Sequence, residues 1–239
     1  AVFSPRANIR YNPTQDVNIR FSYAEGFRAP QAFDEDLHIS NVGGELVSIV
    51  RAEGLKEERS RSFNASVDWY HYFGDFQANL LVEGFYTKLS DPFVLTPPVK
   101  DPDGSAYLIQ TRINGSGAKV YGGTLEGKVA YKDKVQLQAG LTLQRSIYDS
   151  PEEWSADEEH LSEKERYSDK ILRTPDVYGY FTATYMPVKA FSIALNGNYT
   201  GRMYVPHLLS EVNGEADVLV KSPDFFELGT KIAYDFDFQ

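Results

Sequence analysis

Four histidines, at positions 38, 71, 160 and 207, are the side chains here best suited to proton transfer. They stand far apart, and none joins a motif that pairs it with a nucleophile; the chain has no GxSxG, no HExxH and no phosphate-cradling glycine loop. Nucleophilic catalysis needs a positioned base beside its serine or cysteine. There is no cysteine at all, which also removes disulfides and thiolate metal sites. An enzyme is not expected.

Carboxylates offer a second chemistry. Asp34, Glu35 and Asp36 followed by His38 could ligate a hard cation such as Ca²⁺; a solvated or arginine-paired acidic loop is the plainer alternative. Asp101-Pro102-Asp103-Gly104 begins like a calcium loop but lacks the distal glutamate, so a turn is expected. Between residues 150 and 170 eight acids stand against three bases, and that run reads as a solvated face. No cofactor and no resident metal are expected.

The elements that would carry these residues are strands. Tyr and Phe number 16 and 15 against 2 Trp and 2 Met, a balance suited to pleated, half-buried strands and to membrane interfaces. A net charge of −10 argues against a nucleic-acid partner. No run of about 18 apolar residues exists, so a transmembrane helix is not expected. The first residues show no signal-peptide pattern. Ala1-Val2-Phe3 is already in strand register and Asp237-Phe238-Gln239 still is, so both ends are expected to be cuts through a larger protein.

Period-2 alternation runs through most of the chain. Phe3 to Tyr11 is followed by a polar turn at Asn12–Gln15 and a strand in which Val17, Ile19, Phe21 and Tyr23 share a face opposite Asn18, Arg20 and Ser22. Phe63 to Trp69 and Phe76 to Tyr86 form a hairpin around Gly74-Asp75. Parity from Tyr107 to Tyr131 predicts one very long strand, turned by Lys132-Asp133-Lys134 into Val135 to Leu143. Val177–Tyr185, Phe191–Tyr199 and the face from Phe226 to Phe238 complete nine strands. Leu46–Val50 is a weak further strand, and Ser155–Arg166 has the composition of a short surface helix.

Short connections follow Tyr11, Phe73, Tyr131 and Tyr185; long ones follow Ala24, Thr96, Ile147 and Met203. All short turns therefore lie at one end and all long loops at the other. Strands longer than the ~10 residues that cross a bilayer, this asymmetry, and aromatics beside the short turns together favour a membrane barrel. A soluble β-sheet adhesin or binding protein and a passive porin are the alternatives. Nine strands leave two open edges, so partner strands are expected elsewhere.

Several blocks resemble the TonB-dependent outer-membrane receptors. Arg20–His38, RFSYAEGFRAPQAFDEDLH, is similar to a segment in which an upward strand ends in a GFRAP-like turn and enters an extracellular loop. Leu55–Ser60 resembles the family's L-x-x-E-x-S start of a downward strand, and Phe85–Asp91 its F-x-T-x-L-x-D strand end. Asn114 through Glu126 is similar to its N-x-(…)-Y-G-x-E-L-E strand, with Thr124 where an acid is common. Tyr199–His207 resembles a strand-to-loop exit of Bacteroidetes-type members.

The resemblance implies an all-β fold, an antiparallel up-and-down meander forming part of a 22-stranded transmembrane β-barrel in the bacterial outer membrane. Residues 1–239 would be a partial barrel, with the plug domain and final strands outside them. It implies energised uptake of a scarce small-molecule ligand (iron–siderophore, haem or cobalamin class, metal chelates among them). The TonB complex, acting through the plug, and outer-membrane lipid would be the other partners. Ligand contacts in the family come from outer loops, which points to Asp34, Glu35, Asp36 and His38 in loop one and Asp101 and Asp103 in loop two. Trp154 and His160 in loop three, with Tyr204 and His207 in loop four, complete the candidates. Lone loop histidines such as His207 usually do nothing, and that reading stands beside the functional one.

Overall fold

The computed structural model describes residues 3–30, 46–100 and 107–236. Nine antiparallel strands form one wall: β1 (Arg6–Tyr11), β2 (Val17–Arg28), β3 (Glu58–Phe73), β4 (Phe76–Ser90), β5 (Ala118–Tyr131), β6 (Val135–Glu153), β7 (Val177–Val188), β8 (Phe191–Thr200) and β9 (Phe225–Tyr234). Their order in the sheet is their order in the chain, an up-and-down meander. The turn between β3 and β4 is two residues long, and Gly74 takes φ +60° at its first position, where a II′ hairpin turn wants glycine.

The wall is inside out by the standard of a water-soluble protein. Among the described residues only Leu108 and Ala118 are buried hydrophobics, while Phe21 is 54% exposed, Leu228 65% and Ile232 67%. A soluble sheet would hide that face against a second layer. Here the apolar parity (Phe21, Phe63, Val67, Leu80, Val82, Leu125, Leu141) is the outward one, as a lipid-facing band requires.

Polar side chains occupy the opposite face, and several of them hydrogen-bond one another, although the buried Nδ2 of Asn18 has no partner among the described residues. Arg20 donates through Nε to Asn18 at 2.9 Å and lies 3.7 Å from Asp68. Tyr70 donates its hydroxyl to Asp68 at 2.9 Å. Further along, Gln138 reaches Glu126 at 2.9 Å, and Thr124 meets Thr142 at 2.9 Å. Arg20 thus lies on the polar face and Phe21 and Tyr23 on the apolar one, as the alternation predicts.

Four expectations change. The single strand expected from Tyr107 to Tyr131 is two: Tyr107–Asn114 belongs to a separate sheet, and only Ala118–Tyr131 joins the wall. The break comes at Gly117, whose φ of +108° redirects the chain. Parity survived because alternation reports the face of a residue and says nothing of its partner. The first strand begins at Arg6, not Phe3. The expected helix over Ser155–Arg166 shrinks to one turn, Glu163–Arg166. Finally, β6 runs on to Glu153, its upper part pairing with the short strand Tyr167–Lys170 after a register shift.

Candidate functional site

The long connections gather at one end of the wall and fasten in pairs. Loops one and two share a four-stranded sheet in which Leu46–Arg51 runs parallel to Tyr107–Asn114, with Phe93–Leu95 and Val99–Lys100 alongside. Asn114 pins the base of that sheet. Its Oδ1 accepts the Lys56 amide at 2.8 Å, and its Nδ2 donates to the carbonyls of Lys56 at 3.1 Å and Asp91 at 2.9 Å. Beside it, Glu58 accepts the Phe93 amide at 3.0 Å and pairs with Arg28 at 3.4 Å.

Loops three and four are joined by a buried polar node. Loop four carries the hairpin of Tyr204–His207 with Val218–Lys221 and a one-turn helix, Ser210–Asn213. Just before that second strand, Asp217, 3% exposed, accepts the amides of Leu209 at 2.7 Å and Ser210 at 2.8 Å. Its other oxygen accepts the hydroxyl of Ser155 from loop three at 2.6 Å. In return, the Asp217 amide donates to Asp157 at 3.0 Å. Asp157 is itself 4% exposed and bonded to the His160 ring at 2.9 Å and the His160 amide at 3.0 Å.

Each charge in this node has partners, as a buried carboxylate needs. Burial alone pushes the Asp157 carboxyl up, but the Asp217 amide and the His160 ring and amide outweigh it and hold the group below the usual carboxylate range. The hydrogen bond to Asp157 raises the His160 imidazole. The grouping of Ser155, Asp157 and His160 has the residue types of a hydrolytic triad without its geometry. The Ser155 hydroxyl, wholly buried, is spent on Asp217 and on the Asp157 amide, and His160 faces Asp157.

Between the two loop assemblies lies a cavity of about 390 Å³. Leu95 and Pro97 come from loop two, Trp154 and Arg173 from loop three, and Pro206 and Leu208 from loop four. The charged groups around it are mostly engaged. Glu152 accepts the Ser116 amide at 2.6 Å, Glu153 pairs with Arg166, and Lys170 pairs with Asp169 at 3.3 Å. Arg173 is the exception: its guanidinium has no ion-pair partner among the described residues. It sits in left-handed backbone at φ +56°, with its amide bonded to the Tyr204 carbonyl at 2.8 Å. A cavity that mixes apolar and aromatic walls with charged groups, the Arg173 guanidinium among them, suits a ligand that joins a hydrophobic body to polar groups.

The residues singled out from sequence meet different fates. Trp154 lines the cavity, its indole N–H fixed on the Glu165 carbonyl at 2.9 Å. His160 belongs to the polar node. Tyr204 packs under Lys221 at 5.1 Å, and His207 is exposed at the hairpin end opposite Val218. Asp34, Glu35, Asp36, His38, Asp101 and Asp103 lie outside the described residues. Among the described residues no three His, Asp or Glu side chains converge as a metal site. Arg173, Asp157 and Asp217 went unnoticed in the sequence. Asp157 was one acid in a run that reads as a solvated face, a reading that holds for exposed Glu158 and Glu159 and fails for Asp157.

The chain matches the family described as TonB dependent receptor-like, beta-barrel, over residues 1–239. Its fold is similar to the siderophore receptor PirA from Pseudomonas aeruginosa, with a TM-score of 0.63, 14% identity, and coverage of 98% of this chain and 36% of that one. It is also similar to the copper transporter OprC (TM-score 0.61, 14% identity, 98% and 31% covered). The FrpB iron transporter from Neisseria meningitidis, F3-3 variant, gives a TM-score of 0.57 at 16% identity, with 97% and 32% covered. The chain thus spans about a third of the length of these structures. No curated protein matches it in a sequence search.

Proposed function

This chain belongs to the TonB dependent receptor-like β-barrel family, and from that premise we propose that it supplies wall and outer loops to an outer-membrane receptor importing a scarce anionic chelate. The observation that carries the cargo class is the loop cavity, walled by Trp154, Leu95 and Pro206 and holding the unpaired guanidinium of Arg173. Iron–siderophore, haem and cobalamin ligands share a bulky body, and the haem propionates and the catecholate iron–siderophores carry negative charge that the Arg173 guanidinium would meet. In this reading the closed barrel has 22 strands, the plug and the TonB contact lie outside these 239 residues, and lipid covers the outward face.

The test is uptake by cells whose only receptor of this kind is the full-length protein. Labelled ferric siderophore, haem and cobalamin are supplied with and without an uncoupler of the proton-motive force. Energy-dependent uptake of at least one chelate is expected. Uptake indifferent to the uncoupler would make the protein a passive porin. Arg173→Gln is expected to weaken binding by about tenfold or more, since a hydrogen bond to a charged group contributes about that much. Unchanged affinity would remove the cavity from the proposal.

A further inference from the structure

The chain contains three Asn-Gly bonds, at 114–115, 196–197 and 213–214. In such a pair the glycine nitrogen can attack the asparagine carboxamide carbon, because no side chain on the second residue stands in the way. The fold treats the three differently and leaves one of them open.

Asn114 is locked at the base of the sheet shared by loops one and two. Both ends of its carboxamide are bonded, to the amide and carbonyl of Lys56 and to the carbonyl of Asp91. The Gly115 amide, which would be the nucleophile, donates to the Pro92 carbonyl at 2.8 Å. Asn196 and Gly197 lie inside β8, paired with β7 on one side and β9 on the other. In extended backbone the side chain stands off the strand and away from the next peptide, and ladder bonds on both sides hold it there.

Asn213 and Gly214 are exposed, at the end of the one-turn helix Ser210–Asn213 in loop four. The Asn213 Oδ1 accepts the Glu215 amide at 3.1 Å. That bond closes an Asx turn, which folds the carboxamide carbon back over the Gly214 peptide. The Asn213 Nδ2, the leaving group, has no partner among the described residues. The nucleophile is restrained by one bond of 3.2 Å, from the Gly214 amide to the Ser210 carbonyl. A four-residue helix is far too short to be stable by itself, so this terminal bond opens readily.

We propose that Asn213 is a self-modification site, which converts to aspartate and isoaspartate and thereby loosens the node joining loops three and four. Hydroxide takes the Gly214 amide proton, and the nitrogen attacks Cγ of Asn213. The Cγ–Nδ2 bond breaks and Nδ2 leaves as ammonia, protonated by water, which closes a five-membered succinimide. A second water then opens the ring. Cleavage between the Gly214 nitrogen and Cγ gives aspartate; cleavage between that nitrogen and the main-chain carbonyl carbon gives isoaspartate. No oxidant or reductant is needed.

Either product places a new carboxylate beside Glu215, in the segment that leads to Asp217. Isoaspartate also lengthens the main chain by one carbon. Because Asp217 accepts the amides of Leu209 at 2.7 Å and Ser210 at 2.8 Å, residues 209–217 form a closed ring, and the added carbon falls inside it. The bonds strained by that change are the ones on which loops three and four converge, the Ser155 hydroxyl on Asp217 included.

The experiment ages the full-length receptor at mildly alkaline pH, once native in detergent and once unfolded in urea. The three Asn-Gly sites are followed by peptide mapping with mass spectrometry that separates aspartate from isoaspartate. In the native protein Asn213 is expected to convert about a hundredfold faster than Asn114 or Asn196, the factor lost when a reacting pair is held out of attacking geometry. In urea the three should convert at comparable rates. Hydrogen exchange at the Leu209 and Ser210 amides should be about tenfold faster in the aged native protein than in the fresh one, as for a weakened bond to a charged acceptor. Asn213→Gln, whose carbonyl carbon lies one bond too far for the five-membered ring, should show neither change over the same period.

Native conversion at Asn114 or Asn196 as fast as at Asn213, no conversion at Asn213, or a contrast between sites that persists in urea overturns the proposal. So does full conversion at Asn213 that leaves exchange at Leu209 and Ser210 unchanged.

Discussion

Replacing Asp217 with alanine removes the acceptor on which loops three and four converge. Three donors lose their partner: the Leu209 amide at 2.7 Å, the Ser210 amide at 2.8 Å and the Ser155 hydroxyl at 2.6 Å. Each bond goes to a charged group, and a buried donor left unmet costs about 1–3 kcal/mol. Water will reach some of the space vacated, so the low end applies and the sum is about 3 kcal/mol. That corresponds to a local opening equilibrium shifted by about 150-fold. The wall strands share none of these bonds, so the loss should stay in the loops.

Hydrogen exchange on the full-length receptor measures this directly. The amides of Leu209 and Ser210 should exchange about two orders of magnitude faster in Asp217→Ala, with wall amides such as those of β4 and β5 unchanged. Asp217→Asn keeps one carbonyl acceptor and should fall between the two. If the Leu209 and Ser210 amides exchange at the native rate in Asp217→Ala, the node does not hold the loops together and the reasoning fails. Global unfolding in the same variant would fail it in another way, by showing the loops to be integral to the wall.

The same node should respond to pH. His160 is raised in the folded protein, so its contribution is complete below the ordinary value of 6.5 and lost as pH rises through the folded value. Asp157 is lowered, so its contribution is present above 3.8 and lost as pH falls through the folded value. Exchange at the His160 amide, corrected for intrinsic rate, should be slowest between those limits, and His160→Gln should flatten the alkaline arm. In the wall, a side chain on Gly122 would place its Cβ 2.2 Å from the Leu143 carbonyl oxygen, whereas Gly127 has nothing within 4 Å. Gly122→Ala should therefore cost about 1–3 kcal/mol in urea unfolding of the full-length barrel, with Gly127→Ala close to native.

The wall was legible because a membrane strand writes both of its neighbours' natures into its own alternation. Phe21 and Arg20 disclose an apolar and a polar face without any knowledge of the strand beside them, and Gly74 marks its turn by chemistry. Parity was silent where the partner mattered. Residues Tyr107–Asn114 alternate as smoothly as Ala118–Tyr131 yet pair with loop-one residues more than fifty positions away. The node was hidden for the same reason. Ser155 and Asp217 are 62 residues apart, and nothing local separates Asp157, which meets a distant amide, from Glu159, which is exposed. Trp154 could be picked out because a large aromatic in a polar loop is itself unusual. Arg173 could not, since its distinction is that its guanidinium has no ion-pair partner among the described residues.

The pairing of the loops bears on how the cavity could work. Its walls come from both assemblies: Leu95, Pro97 and Gln110 on one side, Trp154, Arg173 and Pro206 on the other. The first set is tied to the wall through Asn114 and Glu58, whereas in the second, loops three and four are tied to each other through Asp157 and Asp217. A ligand between them touches two units fastened separately, and its affinity therefore depends on how well each fastening fixes its own wall. Coupling of this kind is reciprocal. If loosening the Asp217 node weakens a ligand in the cavity, the bound ligand must slow opening of the node by the same factor. Exchange at Leu209 and Ser210 with and without ligand therefore tells whether the cavity is where cargo sits, independently of any assay of uptake.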